Sequence, residues 1–272
     1  MTASILTRAR SGRPRPEALQ AAIGSGNRLT RSSDDPVAAS RLRSLGRADA
    51  FAEVDLAIAA RASSDLALTD SALQSFTDSL IRVQELATQA ANGVLTASQR
   101  AGIATEIQQI SGELVRLANT RDSAGHALFG GDTPGDAYAL DPLGNALYIG
   151  TATASDLPLG DGQSVTRGLT GPEFLNFTTA SGPTNLFAVV KGLADALGGA
   201  APDPAQAARD ALGALDTGLE TITTQQTVIG TRLNWIDLNT ERRTQMGELR
   251  AQEESLAARV RELHVHHPHS RV

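Results

Sequence analysis

Between Pro36 and about Ala91 a single glycine, Gly46, is the only helix-weakening residue, and apolar side chains return at alternating spacings of three and four. In the second half of that run Leu66, Thr69, Leu73, Phe76, Leu80, Val83, Ala87 and Ala90 keep a heptad. On an α-helix these positions line one narrow stripe, which a single helix cannot cover. A chain that carries such a stripe must pack helix on helix. Asn92-Gly93 stops the helix, and Thr96 with Gln99 has the capping-box spacing that starts another. In this second helix Ile103, Ile107, Ile110, Leu114 and Leu117 repeat the pattern. The short turn between the two predicts an antiparallel hairpin packed seam to seam.

The longest run lies near the other end. Leu212, Leu215, Leu219, Ile222, Gln226, Ile229, Leu233 and Ile236 keep a heptad, after which Met246, Leu249, Leu256, Val260 and Leu263 read as the same seam in a shifted frame, as a stutter produces. Between the two helical regions the residues from Leu128 to about 183 are rich in Gly, Pro, Asp and Thr. Within them ALYIG, SVTRGL and EFLNFTT read as short strands separated by turns. The expected fold class is mainly α, a long antiparallel coiled-coil rod with a small β-rich insert at its far end. The expected divisions are 1–33, a disordered segment with a short terminal helix; 34–127, the N-terminal helical hairpin; 128–183, the β insert; 184–200, a connecting helix; 203–263, the C-terminal rod helix; and 264–272, a disordered His-rich tail.

Composition fits thin helical seams. Aromatics are 3 % of the 272 residues while hydrophobic residues reach 41 %, and large ring-walled cores are therefore not expected. Cysteine is absent, which excludes disulfides, thiolate metal sites and cysteine nucleophiles. The net charge of −6, with arginines interspersed among carboxylates, disfavours a nucleic-acid surface. No apolar run reaches the ~20 residues of a membrane span, and the N-terminus lacks the apolar core of a secretory signal.

Chemistry-bearing clusters are few. His264, His266, His267 and His269 place four imidazoles in the tail, but Pro268 breaks any regular array and no carboxylate orients the rings, so a solvated tail is the plainer reading. His126 stands alone at a helix end as a cap or surface residue. Asp34-Asp35 before Pro36 is what a helix start requires, since a carboxylate accepts from free N–H groups and proline fits the first turn. No glycine cluster matches a phosphate loop or dinucleotide motif, and no GxSxG elbow is present. The chain is expected to be no enzyme and to need no cofactor and no metal. Apolar stripes left open on long helices are satisfied by copies or neighbours, so self-association is the expected activity.

Specific residues add to this. GSGNRLTRSSDDPVAAS at 24–40 resembles the N-terminal signature of the flagellin superfamily, and its Asp34, Asp35 and Pro36 are closer to the branch that joins hook to filament than to filament flagellins. LVRLANTRDSAGHALFGG at 114–131, with Leu128, Phe129, Gly130 and Gly131, looks like that branch's exit from the second helix. LIRVQELATQAANG at 80–93 and QTVIGTRLNWID at 226–237 are similar to helices shared across the superfamily. The resemblance implies a structural part of the bacterial flagellum, secreted unfolded by the flagellar type III apparatus with an export chaperone, and placed between the first hook-associated protein and the flagellin filament. A short filament flagellin is the alternative within the superfamily, and a secreted coiled-coil adhesin the alternative outside it. Superfamily members usually open with a longer amphipathic helix and continue as helix toward the C-terminus. Here Pro14 and Pro16 interrupt the opening and the chain stops soon after Leu263, so weakened axial polymerisation in a divergent or truncated copy is also expected. The region of Arg82, Glu85, Leu86 and Gln89 corresponds to one read by an innate immune receptor in some flagellins, but Gln84 departs from that pattern, and an ordinary exposed helix face is expected.

Overall fold

The computed structural model describes the backbone of residues 36–265 and the side chains of residues 40–255. Five α-helices and six short strands follow one another among the described residues. Helix α1 spans Pro36–Ala91 and α2 Ala97–Ala118. The strands β1 (Tyr138–Leu140), β2 (Ala146–Tyr148), β3 (Asp156–Gly160) and β4 (Gln163–Thr166) come next, then a one-turn helix α3 (Gly171–Leu175), β5 (Asn176–Thr179) and β6 (Gly182–Asn185). Helix α4 (Leu186–Asp195) runs into a π-helical turn, Ala196–Ala200, before α5 (Pro204–Val265). The chain divides into two compact units, Met1–Asp49 with Arg250–Val272, and Ala50–Leu249. The expected terminal segment 1–33 and most of the tail 264–272 lie outside the described residues.

In the described part of the first unit two ion pairs tie the start of α1 to α5. Arg250 Nε donates to Asp49 Oδ1 at 2.7 Å and Arg41 Nη2 to Glu253 Oε2 at 3.2 Å. These charges are largely in water, where such pairs contribute about 0–1 kcal/mol.

In the unit Ala50–Leu249 the helices α1 and α5 are antiparallel neighbours. Arg209 donates to the carbonyl of Ala91, Gln84 to Asp216, Gln226 to Gln74 and Arg243 to Asp55, so positions rise along one helix as they fall along the other. The Arg209 contact also satisfies a C-terminal carbonyl of α1 with a cation, the favourable sign at that helix end. The Asn92-Gly93 turn leads to α2, whose capping box forms: Thr96 N donates to Gln99 Oε1 at 2.9 Å, and Gln99 N to Thr96 Oγ1 at 3.3 Å. Arg82 reaches from α1 to Glu106 of α2. On α2's other side lies α4, which buries Leu186, Phe187, Val190, Leu193 and Ala194.

Helix α2 stops at Ala118, and Asn119 makes the exit. Its side-chain oxygen accepts from the N–H groups of Ala137 and Tyr138, and its amide donates to the Tyr138 carbonyl, each at 2.9 Å. Residues 119–127 are thus a turn that hands the chain to the insert, not a continuation of the hairpin helix. Three separate two-stranded antiparallel ladders follow: β1 with β2, β3 with β4, and β5 with β6. A lone hairpin is marginal in water, and these are held by what they pack on. Leu159, Val165, Leu169, Phe174 and Leu175 are all buried.

Three expectations are corrected. EFLNFTT is not one strand: Thr170 and Glu173 form a capping box and Pro172 sits in the first turn, so Gly171–Leu175 is helical and the strand begins at Asn176. The insert is not carried at a helix tip. Phe129 and Phe174 meet Phe76 of α1 at centroid distances of 6.2 and 5.2 Å, and the β3–β4 turn reaches Arg243 of α5, so it lies along the helices' flank. Between Ile236 and Leu249 the seam of α5 does not shift frame, while Leu256, Val260 and Leu263 lie outside the described side chains. Met246 and Leu249 are 41 % and 61 % exposed, while Asn239 and Arg243 are buried.

Candidate functional site

Leu66, Leu73, Phe76, Leu80, Val83, Ile107, Leu114, Ile222 and Ile229 have no exposed surface, and Ile103 and Ile236 very little. Ile110, Leu117, Leu212, Leu219 and Leu233 pack against the same core while keeping part of their surface in water. These sixteen side chains thus meet in one interior within the unit Ala50–Leu249. The apolar positions of the seams pack inside the chain, while other large apolar side chains such as Phe51 and Leu238 face outward.

Leu128, Phe129, Gly130 and Gly131 form the joint between the α2 exit and the insert. Leu128 is half-buried and Phe129 fully buried, packed against Phe76 and at 4.8 Å from Phe174. The Phe129 carbonyl accepts from Gly171 N at 2.9 Å, and the Gly130 carbonyl from Thr151 N at 3.0 Å. Gly131 has φ +65°, and a Cβ there would collide with Thr151 and stand 2.8 Å from the Thr153 carbonyl oxygen. The sequence therefore needs glycine where the backbone turns left-handed against a neighbouring segment. Asp34 and Asp35 lie outside the described residues, and Pro36 is the first residue of α1.

Two polar clusters were not legible in the sequence. In the first, Arg243 of α5 donates to Asp55 Oδ2 of α1 at 2.7 Å and to Asp161 Oδ2 of the β3–β4 turn at 3.3 Å. Gly160, with φ +80°, leaves the space: a Cβ there would run into both Asp55 and Arg243. In the second, Asp122 accepts from Ala124 N, His126 N and Arg167 Nη2 at 2.8, 2.9 and 3.0 Å. Burial alone would raise its pKa, but these donors together with the His126 ring outweigh it and hold the carboxyl below the usual range. His126 is thus part of this cluster, with Nδ1 3.4 Å from Asp122. Tyr138, buried against Tyr148 and Phe187, has its phenol pushed well upward by burial and then by Tyr148, so it stays neutral.

Among the described residues no group of three or more His, Cys, Asp or Glu side chains is placed to hold a metal ion. Nor is any helix there long and apolar enough to cross a membrane. Two open, shallow depressions stand out among the described residues: one of about 370 Å³ lies along Asp216, Leu219, Glu220, Thr223, Thr224 and Thr227 of α5, and one of about 400 Å³ lies over the β5–β6 ladder. Neither is walled by convergent catalytic groups. Arg82, with Glu85 and Glu106 at 2.8 and 2.7 Å, stands on an exposed face.

The model of the bacterial flagellin N-terminal helical region matches residues 1–133. The flagellar hook-associated protein 3 of Escherichia coli strain K12 is 29 % identical over 231 residues, which is 79 % of this chain and 72 % of the relative. The chain is similar to the flagellin superfamily, through the family model over residues 1–133 and through the hook-associated relative at 29 % identity over most of its length. A second relative, the flagellar hook-associated protein 3 of Salmonella typhimurium, is 29 % identical over 159 residues, 58 % of this chain and half of that protein. The fold agrees as well: a putative flagellar hook-associated protein from Vibrio parahaemolyticus superposes with a TM-score of 0.76 at 23 % identity, covering 83 % of this chain and 99 % of that one. The relatives that match are flagellar proteins by name, and the solved structure shares the fold of long helices with a small β insert.

Proposed function

We propose that this chain is a structural component of the bacterial flagellum, the junction piece between hook and filament. The observation that carries the reading is the match to hook-associated protein 3 across 79 % of the chain, on a fold whose long helices bury their apolar stripes internally. The relatives favour the junction over a short filament flagellin. The proposed partners are further copies of the chain, the first hook-associated protein on the hook side and flagellin on the filament side. The proposed route is export by the flagellar type III apparatus with its chaperone, to a secreted location on the flagellum. The proposed role is assembly and not catalysis.

The test is complementation in a motile bacterium lacking its hook-associated protein 3. The expected result is restored swimming, with filaments attached to hooks and this chain found between them by immunogold labelling. Flagellin shed into the medium despite normal export of the chain overturns the reading. Purified chain that grows alone into long filaments favours the filament-flagellin alternative.

A further inference from the structure

Asp65 lies on the inner side of α1, 3 % exposed, and neither of its carboxylate oxygens has a hydrogen-bond partner. The guanidinium of Arg61, one turn earlier on the same helix, stands 4.0 Å away, beyond hydrogen-bond reach. The neighbouring buried carboxylate, Asp122, takes the donors instead. It accepts from the backbone of Ala124 and His126 and from Arg167, with the His126 ring at 3.4 Å and Arg61 at 3.9 Å. From α5, Arg232 donates to the carbonyl of Gly168, the residue after Arg167, at 2.6 Å. Two carboxyl groups therefore occupy one low-dielectric setting with hydrogen-bond donors for only one of them.

A buried carboxylate without donors is relieved by taking up a proton, and the nearby negative charge of a second carboxylate favours the same outcome. We propose that in the folded chain Asp65 carries a proton while Asp122 stays ionised, and that this division of charge lets the 119–127 turn and the end of β4 seat against α1 as a latch. Burial first and Asp122 second raise the Asp65 pKa, against Arg61, Arg167 and His126, which pull it down. Asp122 is shifted the other way. The two sites titrate as a pair.

The sign follows from linkage. Asp65 has a raised folded-state pKa, so its protonation stabilises the fold fully below the ordinary aspartate value of 3.8, and that contribution is lost as pH rises through the raised value. Asp122 contributes above the ordinary value, and its share is lost as pH falls through the depressed one. The latch is thus weakened by rising pH at Asp65 and by falling pH at Asp122. In the extracellular location proposed above, seating of the insert responds to the pH of the medium, though the latch itself does not depend on that location.

The test is a carboxyl ¹³C NMR titration of the full chain. One aspartate is expected to titrate clearly above 3.8, to vanish in Asp65→Asn and to move down in Asp122→Asn. A second measurement compares urea midpoints. Asp65→Asn, which copies the protonated form, is expected to match the parent chain in acid, to gain on it as pH rises, and to level off above the raised value. An Asp65 carboxyl that titrates at or below the ordinary value overturns the proposal, and so does a midpoint difference that does not change with pH. If Asp122→Asn unfolds, the parent chain and Asp65→Asn suffice to decide.

Discussion

Arg243 on α5 donates a 2.7 Å bond to Asp55 on α1 at the point where the apolar seams of both helices would otherwise continue. Arg243 stands one heptad beyond Ile236, and Asp55 one heptad before Ala62, both of which are buried apolar residues. The ion pair thus occupies core positions. It also anchors the β3–β4 turn through Asp161. Buried polar groups at seam positions specify register at a cost in stability.

Removing one partner leaves a carboxylate with no compensating charge. Arg243→Ala is expected to lower the unfolding free energy by about 2–3 kcal/mol, below the full range for a buried pair because the carboxylates keep some solvent. Joint replacement, Arg243→Met with Asp55→Leu, is expected to recover most of that loss. Urea denaturation of the two variants checks both.

Phe76 joins the helices to the insert, edge-on to Phe129 and Phe174. Phe76→Ala removes the centre of that cluster and is expected to cost roughly 3–5 kcal/mol. Phe51, 69 % exposed on the same helix, is a matched control: Phe51→Ala is expected to stay within about 0.5 kcal/mol. Thermal unfolding of the two variants side by side distinguishes them.

Two glycine substitutions are expected to have opposite signs. At Gly131 the φ of +65° and the Thr151 and Thr153 atoms in the way make Gly131→Ala destabilising by about 1–3 kcal/mol. At Gly112, inside α2 with nothing near the added methyl, Gly112→Ala is expected to stabilise by about 0.5–1 kcal/mol, through lower unfolded-chain entropy. Chemical denaturation midpoints that move the same way for both variants contradict this.

Acid is expected to loosen the insert. Asp132 is held low by the side chain and then the backbone N–H of Ser155, which donate at 2.7 and 3.1 Å. Asp122 is shifted in the same direction. Both carboxylates therefore bind protons more readily in the unfolded chain, and stability falls as pH drops from about 4 toward the depressed values. Asp65 has the opposite sign, because its raised value makes the folded chain the better proton acceptor at that site. The melting temperature measured between pH 5 and pH 3 should fall. Asp132→Asn should flatten part of the decline, and Asp65→Asn should steepen it.

The helical seams were legible because a repeating apolar stripe has one physical solution, burial against another helix, and because Thr96 with Gln99 and Asn92-Gly93 mark helix ends through local hydrogen bonding. The stretch Leu128–Gly131 stood out only through its resemblance to a known family, and the buried ring of Phe129 and the left-handed turn at Gly131 came from the structure. Three features were not legible. An arginine at a seam position looks like a surface residue until Asp55 and Asp161 are found around it. Glu173-Phe-Leu reads as the start of a strand until the capping box with Thr170 is seen. Asp65 looks like one more helix-surface carboxylate until Asp122 and Arg167, distant in sequence, arrive beside it.

That long helices form, that α2 begins after Thr96, and that apolar stripes must be covered all followed from the order of residues alone, because periodicity and capping act within a few residues along the chain. The placement of the insert along the helices, and the choice of which charges enter the interior, arose instead from folding in three dimensions. Those outcomes depend on pairings between residues far apart in sequence, and no local pattern records which partner will be there to offset the cost of burying a charge.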